Sequence, residues 1–107
     1  MTNTVIEVVT FKLKADVSEA DYVAATEKSQ RLIGGMPGFI SRSLSKGADG
    51  SWTDYTIWVD MASAEAAMAQ FPQADCTADV MRMIDPSTLV MRHETQQWAR
   101  RAEPVMA

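Results

Sequence analysis

Hydropathy and turn signals predict the order strand, helix, strand, strand, broken helix, strand. That order makes an α+β domain with one four-stranded antiparallel sheet. Three observations carry the prediction. Thr4 to Lys14 crowds β-formers onto both faces of one stretch. Val17 to Gly35 has an apolar stripe at helical spacing, bounded by an N-cap and a double glycine. Gly38 to Met61 reads as two β-prone runs joined at Ala48-Asp49-Gly50, and Asp-Gly between such runs is a strong hairpin signal.

In the first strand Val5, Ile6, Val8, Val9, Phe11 and Leu13 populate both faces, the pattern of a central strand covered on two sides. Glu7 interrupts it, so its carboxylate either lies near a strand end or faces a cavity. The helix starts at Ser18, with Asp21 three residues on as an imperfect capping box. Val17 and Tyr22 take the staple positions that set the direction of the chain there. Tyr22, Ala25, Thr26, Ser29, Leu32, Ile33 and Met36 form its stripe. Gly34-Gly35 is expected to end the helix in a left-handed conformation, and Pro37 prevents its return.

In the hairpin, a turn at Asp49 is expected to set Leu44 opposite Thr53, Arg42 opposite Tyr55 and Ile40 opposite Ile57. Phe39, Ser41 and Ser43 then share the other face with Asp54, Thr56 and Trp58. Both faces carry apolar residues. Helices of the chain would cover one, and a second copy of the chain is the simplest cover for the other. Ala62 to Phe71 is the second helix, striped by Ala64, Ala67, Met68 and Phe71, and Pro72 breaks it. Its continuation runs from Asp75 to Ile84 with Cys76, Val80, Met83 and Ile84 on one side, and Asp85-Pro86 stops it. Leu89 to Trp98 is the last strand, and Ala99 to Ala107 is a polar tail. This is the split βαβ order of ferredoxin-like folds. Right-handed crossovers put the first and third strands side by side in the middle. The sheet face without helices would expose an apolar patch unless a second subunit meets it, so a homodimer is expected.

At 107 residues, 1–107 is read as a single domain. Hydrophobic content of 47% and charged content of 22% are those of a globular chain. A net charge of -4 argues against general nucleic-acid binding. No apolar run approaches the roughly 20 residues that span a bilayer. Met1-Thr2-Asn3-Thr4 lacks the features of a signal peptide. The expectation is a soluble, cytoplasmic protein without a membrane or nucleic-acid partner. The lone Cys76 fits a reducing compartment. With one histidine and no ligand spacing among the acids, no metal site is expected. Nor is there a Gly-rich phosphate loop or a nucleophile elbow.

Several residues admit two readings. Trp58 is either a core aromatic or the wall of a ligand site, whereas Trp52, near the turn, is expected at the surface or a dimer rim. His93 is a general base or a hydrogen-bonded structural residue. Glu7, Arg92 and Glu94 form a cross-strand network or a salt-bridged dimer interface. Arg42, opposite Tyr55, binds an anionic substrate group or packs its stem on the ring. Tyr22 lines a pocket or serves only as the staple. Cys76 lies near a helix start, which favours a thiolate, but has no partner base nearby in sequence. Met61, Met68, Met81, Met83 and Met91 suit an adaptable lining for a flat apolar ligand, or ordinary core filling.

With this element order, Met36-Pro37-Gly38-Phe39 leading into the second strand, Trp58 near the end of the third and the Ala-rich helix after it resemble the antibiotic biosynthesis monooxygenase family of dimeric α+β barrels. The resemblance spans roughly Val5 to Trp98 and implies two sheets packed face to face in a homodimeric α+β barrel. That superfamily includes cofactor-free oxygenases of aromatic polyketide phenols, haem-degrading enzymes and members without known activity. In the quinone-forming oxygenases, an Asn and a Trp four residues apart on one strand help activate substrate and oxygen. That spacing falls here on Asp54 and Trp58. Trp58 matches; Asp54 stands in place of the Asn, and an ionised carboxylate accepts hydrogen bonds without donating them. Haem-degrading members need a His on the second helical segment, and Gln73 to Ile84 contains none.

The resemblance therefore implies a monooxygenase that uses no cofactor and acts on an aromatic or polyketide-like phenol. Asp54 or His93 would take the phenolic proton and Trp58 would hold the ring. Tyr22, Arg42, Tyr55, Met68, Phe71 and Met83 are the expected substrate contacts. The alternative is a non-enzymatic dimer of the same fold that binds a small aromatic ligand.

Overall fold

A computed structural model describes residues 3–102. Residues 103–107 of the expected tail lie outside the described residues. Strand β1 is Val5–Phe11, helix α1 Glu19–Ile33, β2 Phe39–Lys46, β3 Trp52–Trp58, α2 Met61–Gln70, α3 Asp75–Met83 and β4 Val90–Thr95. Single 3-10 turns, Phe71–Gln73 and Pro86–Thr88, follow α2 and α3. The sheet order is β2-β3-β1-β4, antiparallel throughout. The first and third strands are central, as right-handed crossovers require. Among the described residues no helix is long and apolar enough to cross a membrane.

Helix α1 forms where its local signals place it. The Ser18 side chain accepts from the Asp21 backbone N–H at 3.1 Å, the N-cap bond that the sequence suggests. Tyr22, Ala25, Thr26, Ser29 and Ile33 are its buried face. Its end differs from expectation. Gly34 stays right-handed (φ -64, ψ -22) and its N–H bonds Gln30 O, while Gly35 and Met36 bond Leu32 O and Ile33 O as the turn tightens. The left-handed glycine of this connection is Gly38, at φ 86, where β2 begins.

The hairpin register is one residue away from the expected one. The expected pairs leave four residues in the loop. The chain instead uses five, 47–51, closed by Gly47 N–H to Ser51 O at 2.7 Å and by the Asp49 carboxylate on Ser51 N–H at 3.0 Å. Lys46 therefore faces Trp52, Leu44 faces Asp54 and Arg42 faces Thr56. Because side chains alternate with period two, this brings Arg42 and Leu44 to the face of Asp54, Thr56 and Trp58 and sends Ser41 and Ser43 to the other. A bulge between Phe39 and Ser41 restores Phe39 to the Trp58 side, where the rings meet edge to face with centroids 5.8 Å apart.

The helices cover the sheet face that carries Val5, Glu7, Val9 and Phe11. Two apolar cores form there. Val5, Ile33, Met36, Trp58, Ala64 and Ala67 make one. Phe11, Tyr22, Ala25, Trp52, Val80 and Ile84 make the other. Trp52 is thus a core residue, 5% exposed, and not a surface or rim aromatic. Its pairing with Phe11 across the sheet and its edge contact with Tyr22 (centroids 5.5 Å) place it there.

Candidate functional site

Strand β3 reads Trp-x-Asp-x-Thr-x-Trp on its helix-side face. The two tryptophans go to the two cores, and the polar rungs between them, Asp54 and Thr56, have no large side chain to fill the middle. A cavity of about 190 Å³ opens there between sheet and helices. Its walls are mostly apolar, with Trp58, Phe11, Tyr22 and Val80 among them, and the part-exposed Met68, Met81, Leu89 and Met91 complete its lining. The polar side chains on the wall are Glu7, Arg42, Asp54 and Thr56, and Tyr22 and Trp58 also line it.

Arg42 and Asp54 form a two-pronged ion pair. Nε donates to Oδ1 at 2.9 Å and an Nη donates to Oδ2 at 2.6 Å. The other Nη donates to Ser29 Oγ at 3.0 Å and to Gln30 Oε1 at 3.3 Å, so the guanidinium ties α1 to both strands of the hairpin. Only 6% of the Arg42 side chain and 13% of that of Asp54 remain exposed. Fork-to-fork geometry of this kind holds both partners in one orientation. Both Asp54 oxygens are engaged by Arg42.

Across the sheet, Glu7 pairs with His93, and Glu7 Oε2 lies 2.9 Å from His93 Nε2. A carboxylate only accepts, so Nε2 carries the hydrogen. Arg92 and Glu94 pair with each other at 2.9 Å on the opposite face. The expected network of Glu7, Arg92 and Glu94 is therefore split in two by the alternation of side chains along the strands.

Two residues that line the cavity, Tyr22 and Trp58, each bury a donor, Oη and Nε1, that makes no hydrogen bond among the described residues. Leaving such a group unpaired costs about 1–3 kcal/mol. Burial, and then the Asp54 carboxylate, push the Tyr22 phenol well above its ordinary range, with the neighbouring Thr26 hydroxyl and then Arg42 offsetting this in part. Tyr22 is therefore an O–H donor at neutral pH.

The cavity brings together Asp54, Trp58, Tyr22, Arg42, Met68 and Phe71 of the residues singled out in the sequence. It does not include the other three. Tyr55 faces Val8 and Ser43 on the opposite side of the sheet, a consequence of the register, and so never meets Arg42. Met83 packs against the core around Phe11 and Trp52. His93 reaches the cavity wall only through Glu7. The sequence pattern left the place of Glu7 open; the structure sets it on the wall. Alternation along β1 and β3 was the signal for it. Among the described residues no cluster of three His, Cys, Asp or Glu side chains could hold a metal ion.

The sequence matches no protein-family model and no curated protein. Solved structures do match. A variant of SnoaB, a cofactor-independent oxygenase from Streptomyces nogalater, superposes with a TM-score of 0.75 at 17% identity, covering 91% of this chain and 96% of that one. A protein from Bordetella bronchiseptica assigned to the antibiotic biosynthesis monooxygenases gives 0.72 at 16% identity, covering 90% and 99%. Another so assigned, from Nitrosomonas europaea, gives 0.71 at 14%, covering 92% and 94%. The chain therefore has the ferredoxin-like α+β fold of antibiotic biosynthesis monooxygenase structures over nearly its whole length.

Proposed function

We propose that the protein is a cofactor-independent monooxygenase that oxidises an aromatic, polyketide-like phenol in this cavity. The observation that carries the reading is a mainly apolar cavity lined by Tyr22 and Trp58, each of which buries a donor, Oη and Nε1, that makes no hydrogen bond among the described residues. A small turn of either side chain on ligand binding would present its O–H or N–H to a ring oxygen that gains negative charge as the substrate loses a proton. The resulting carbanion reacts with oxygen directly, and loss of water from the peroxide leaves a quinone. The fold shared with SnoaB supports this chemistry.

Oxygen uptake with a panel of anthrone- and hydroquinone-type phenols tests it. Trp58→Phe and Tyr22→Phe remove one donor each and keep an aromatic ring at the position. Each is expected to lower kcat by roughly 10²–10³-fold, as for other lost oxyanion donors. If the folded protein consumes no oxygen above the buffer rate, the reading fails. A non-enzymatic aromatic-ligand dimer is then favoured, and the engagement of both Asp54 oxygens by Arg42 already fits it. Thermal shift with the same panel would detect such binding.

The proposal includes a homodimer. Ile6, Val8, Tyr55, Ile57 and Val90 lie on the sheet face without helices, and Val90 is 55% exposed. A second sheet packed there would give both copies the cover that their own helices do not supply. Light scattering is expected to give twice the chain mass for the wild type and a monomer for an Ile57→Asp, Val90→Glu double variant. A monomeric wild type at micromolar concentration would rule the barrel out.

A further inference from the structure

We propose that Glu7 is the base of this cavity, taking an acidic proton from an aromatic ketone or phenol whose oxygen is held by Tyr22 Oη and Trp58 Nε1, and that His93 positions its carboxylate. The inference rests on the aromatic-ligand reading above and adds to it the group that starts the reaction. Three carboxylate or imidazole groups lie in or against the cavity. Asp54 has both oxygens engaged by Arg42. His93 lies behind Glu7 and does not line the wall. Glu7 does line it, and among the described residues its one side-chain hydrogen-bond partner is His93. Its side chain is 17% exposed, so the carboxylate is largely withdrawn from bulk water.

The placement follows from the sheet. Glu7 faces Thr56, and Val5 faces Trp58, so Glu7 and Trp58 are diagonal neighbours on one face. Such neighbours lie on the order of 7–8 Å apart, a span that a flat ring bridges. A base at one edge of a ring and donors at its oxygen make an enolising site. In the step, a C–H bond across the ring from the ketone, and conjugated with it, breaks and the proton joins a Glu7 oxygen. The electron pair delocalises onto the ligand oxygen, where Tyr22 and Trp58 donate to it. The His93 Nε2–H on Oε2 keeps the carboxylate turned toward the ligand. The remaining charged or titratable groups on the wall are Tyr22, Arg42 and Asp54.

The test needs no oxygen. Anthrone is incubated anaerobically with protein in D2O, and exchange of its methylene hydrogens is followed by NMR. Wild type is expected to exchange above the buffer rate. Glu7→Gln should lose roughly 10²–10⁴-fold of the protein-dependent rate, the usual contribution of a general base. Glu7→Asp, which keeps an acid, should retain part of it. His93→Leu should lose exchange, and His93→Gln, which can still donate, should recover part of it; a purely structural histidine would not distinguish the two by donor chemistry. Exchange that survives Glu7→Gln overturns the assignment, as does no wild-type exchange at all. Glu7-dependent exchange without oxygen uptake keeps Glu7 as the base and removes the oxygenase. Uptake that survives Glu7→Gln keeps the oxygenase and removes Glu7.

Discussion

Arg42→Leu is expected to lose about 3–5 kcal/mol of folding stability, the cost of breaking a buried ion pair from one side. The substitution leaves the Asp54 carboxylate 13% exposed with none of its Arg42 bonds, and it also unties Ser29 and Gln30 of α1. A surface pair would cost no more than about 1 kcal/mol. Burial is what separates the two cases, because the lone charge can no longer be solvated. The double variant Arg42→Leu, Asp54→Leu should recover much of the loss, since two apolar groups need no partner. Urea unfolding of the three proteins measures both quantities. A single-variant loss below about 1 kcal/mol would mean that water reaches the pair.

Gly38→Ala is expected to cost about 2–5 kcal/mol, combining left-handed backbone strain with overpacking. Gly38 has φ 86, and a Cβ there would sit 2.3 Å from Ser63 Oγ and 2.5 Å from Ser63 Cβ. Ser63 cannot easily retreat, because its backbone N–H is held by the Asp60 cap of α2 at 2.8 Å. Gly38 also accepts from Val59 N–H at 2.9 Å, so the start of β2 is pinned beside the start of α2. Gly50 gives the control. Its φ is 87, but a Cβ there would meet nothing within 4 Å. Gly50→Ala should therefore cost only the backbone strain, about 1–2 kcal/mol. Equal losses in the two variants would show that α2 shifts freely away from Gly38.

Local chemistry made most of the fold legible. The Ser18 cap, the stripe from Tyr22 to Ile33 and the Asp-Gly turn act over a few residues, and each appears where the sequence puts it. The strand order followed from connection handedness, which any such element order must obey. The hairpin register was less legible, because four- and five-residue loops both suit Ala48-Asp49-Gly50. One extra loop residue reverses the faces of β2 relative to β3. That residue decides whether Arg42 meets Tyr55 or Asp54.

The site was legible in part. Trp58 and Asp54, four residues apart on a strand, had to share a face. Whether that face held a cavity depended on what the helices brought to it. Tyr22 satisfied its staple role in sequence, and only the packed structure shows its hydroxyl buried without a partner. By itself, the sequence determined the elements, their order and, away from the bulge of β2, which residues share a strand face or a helix stripe, because these depend on periodicity and local hydrogen bonding. The tertiary structure alone decided that Arg42 occupies Asp54, that Glu7 stands in front of His93, and that the two cores leave a gap between them. Those outcomes depend on register and on the volumes of side chains distant in the chain, which no local pattern encodes.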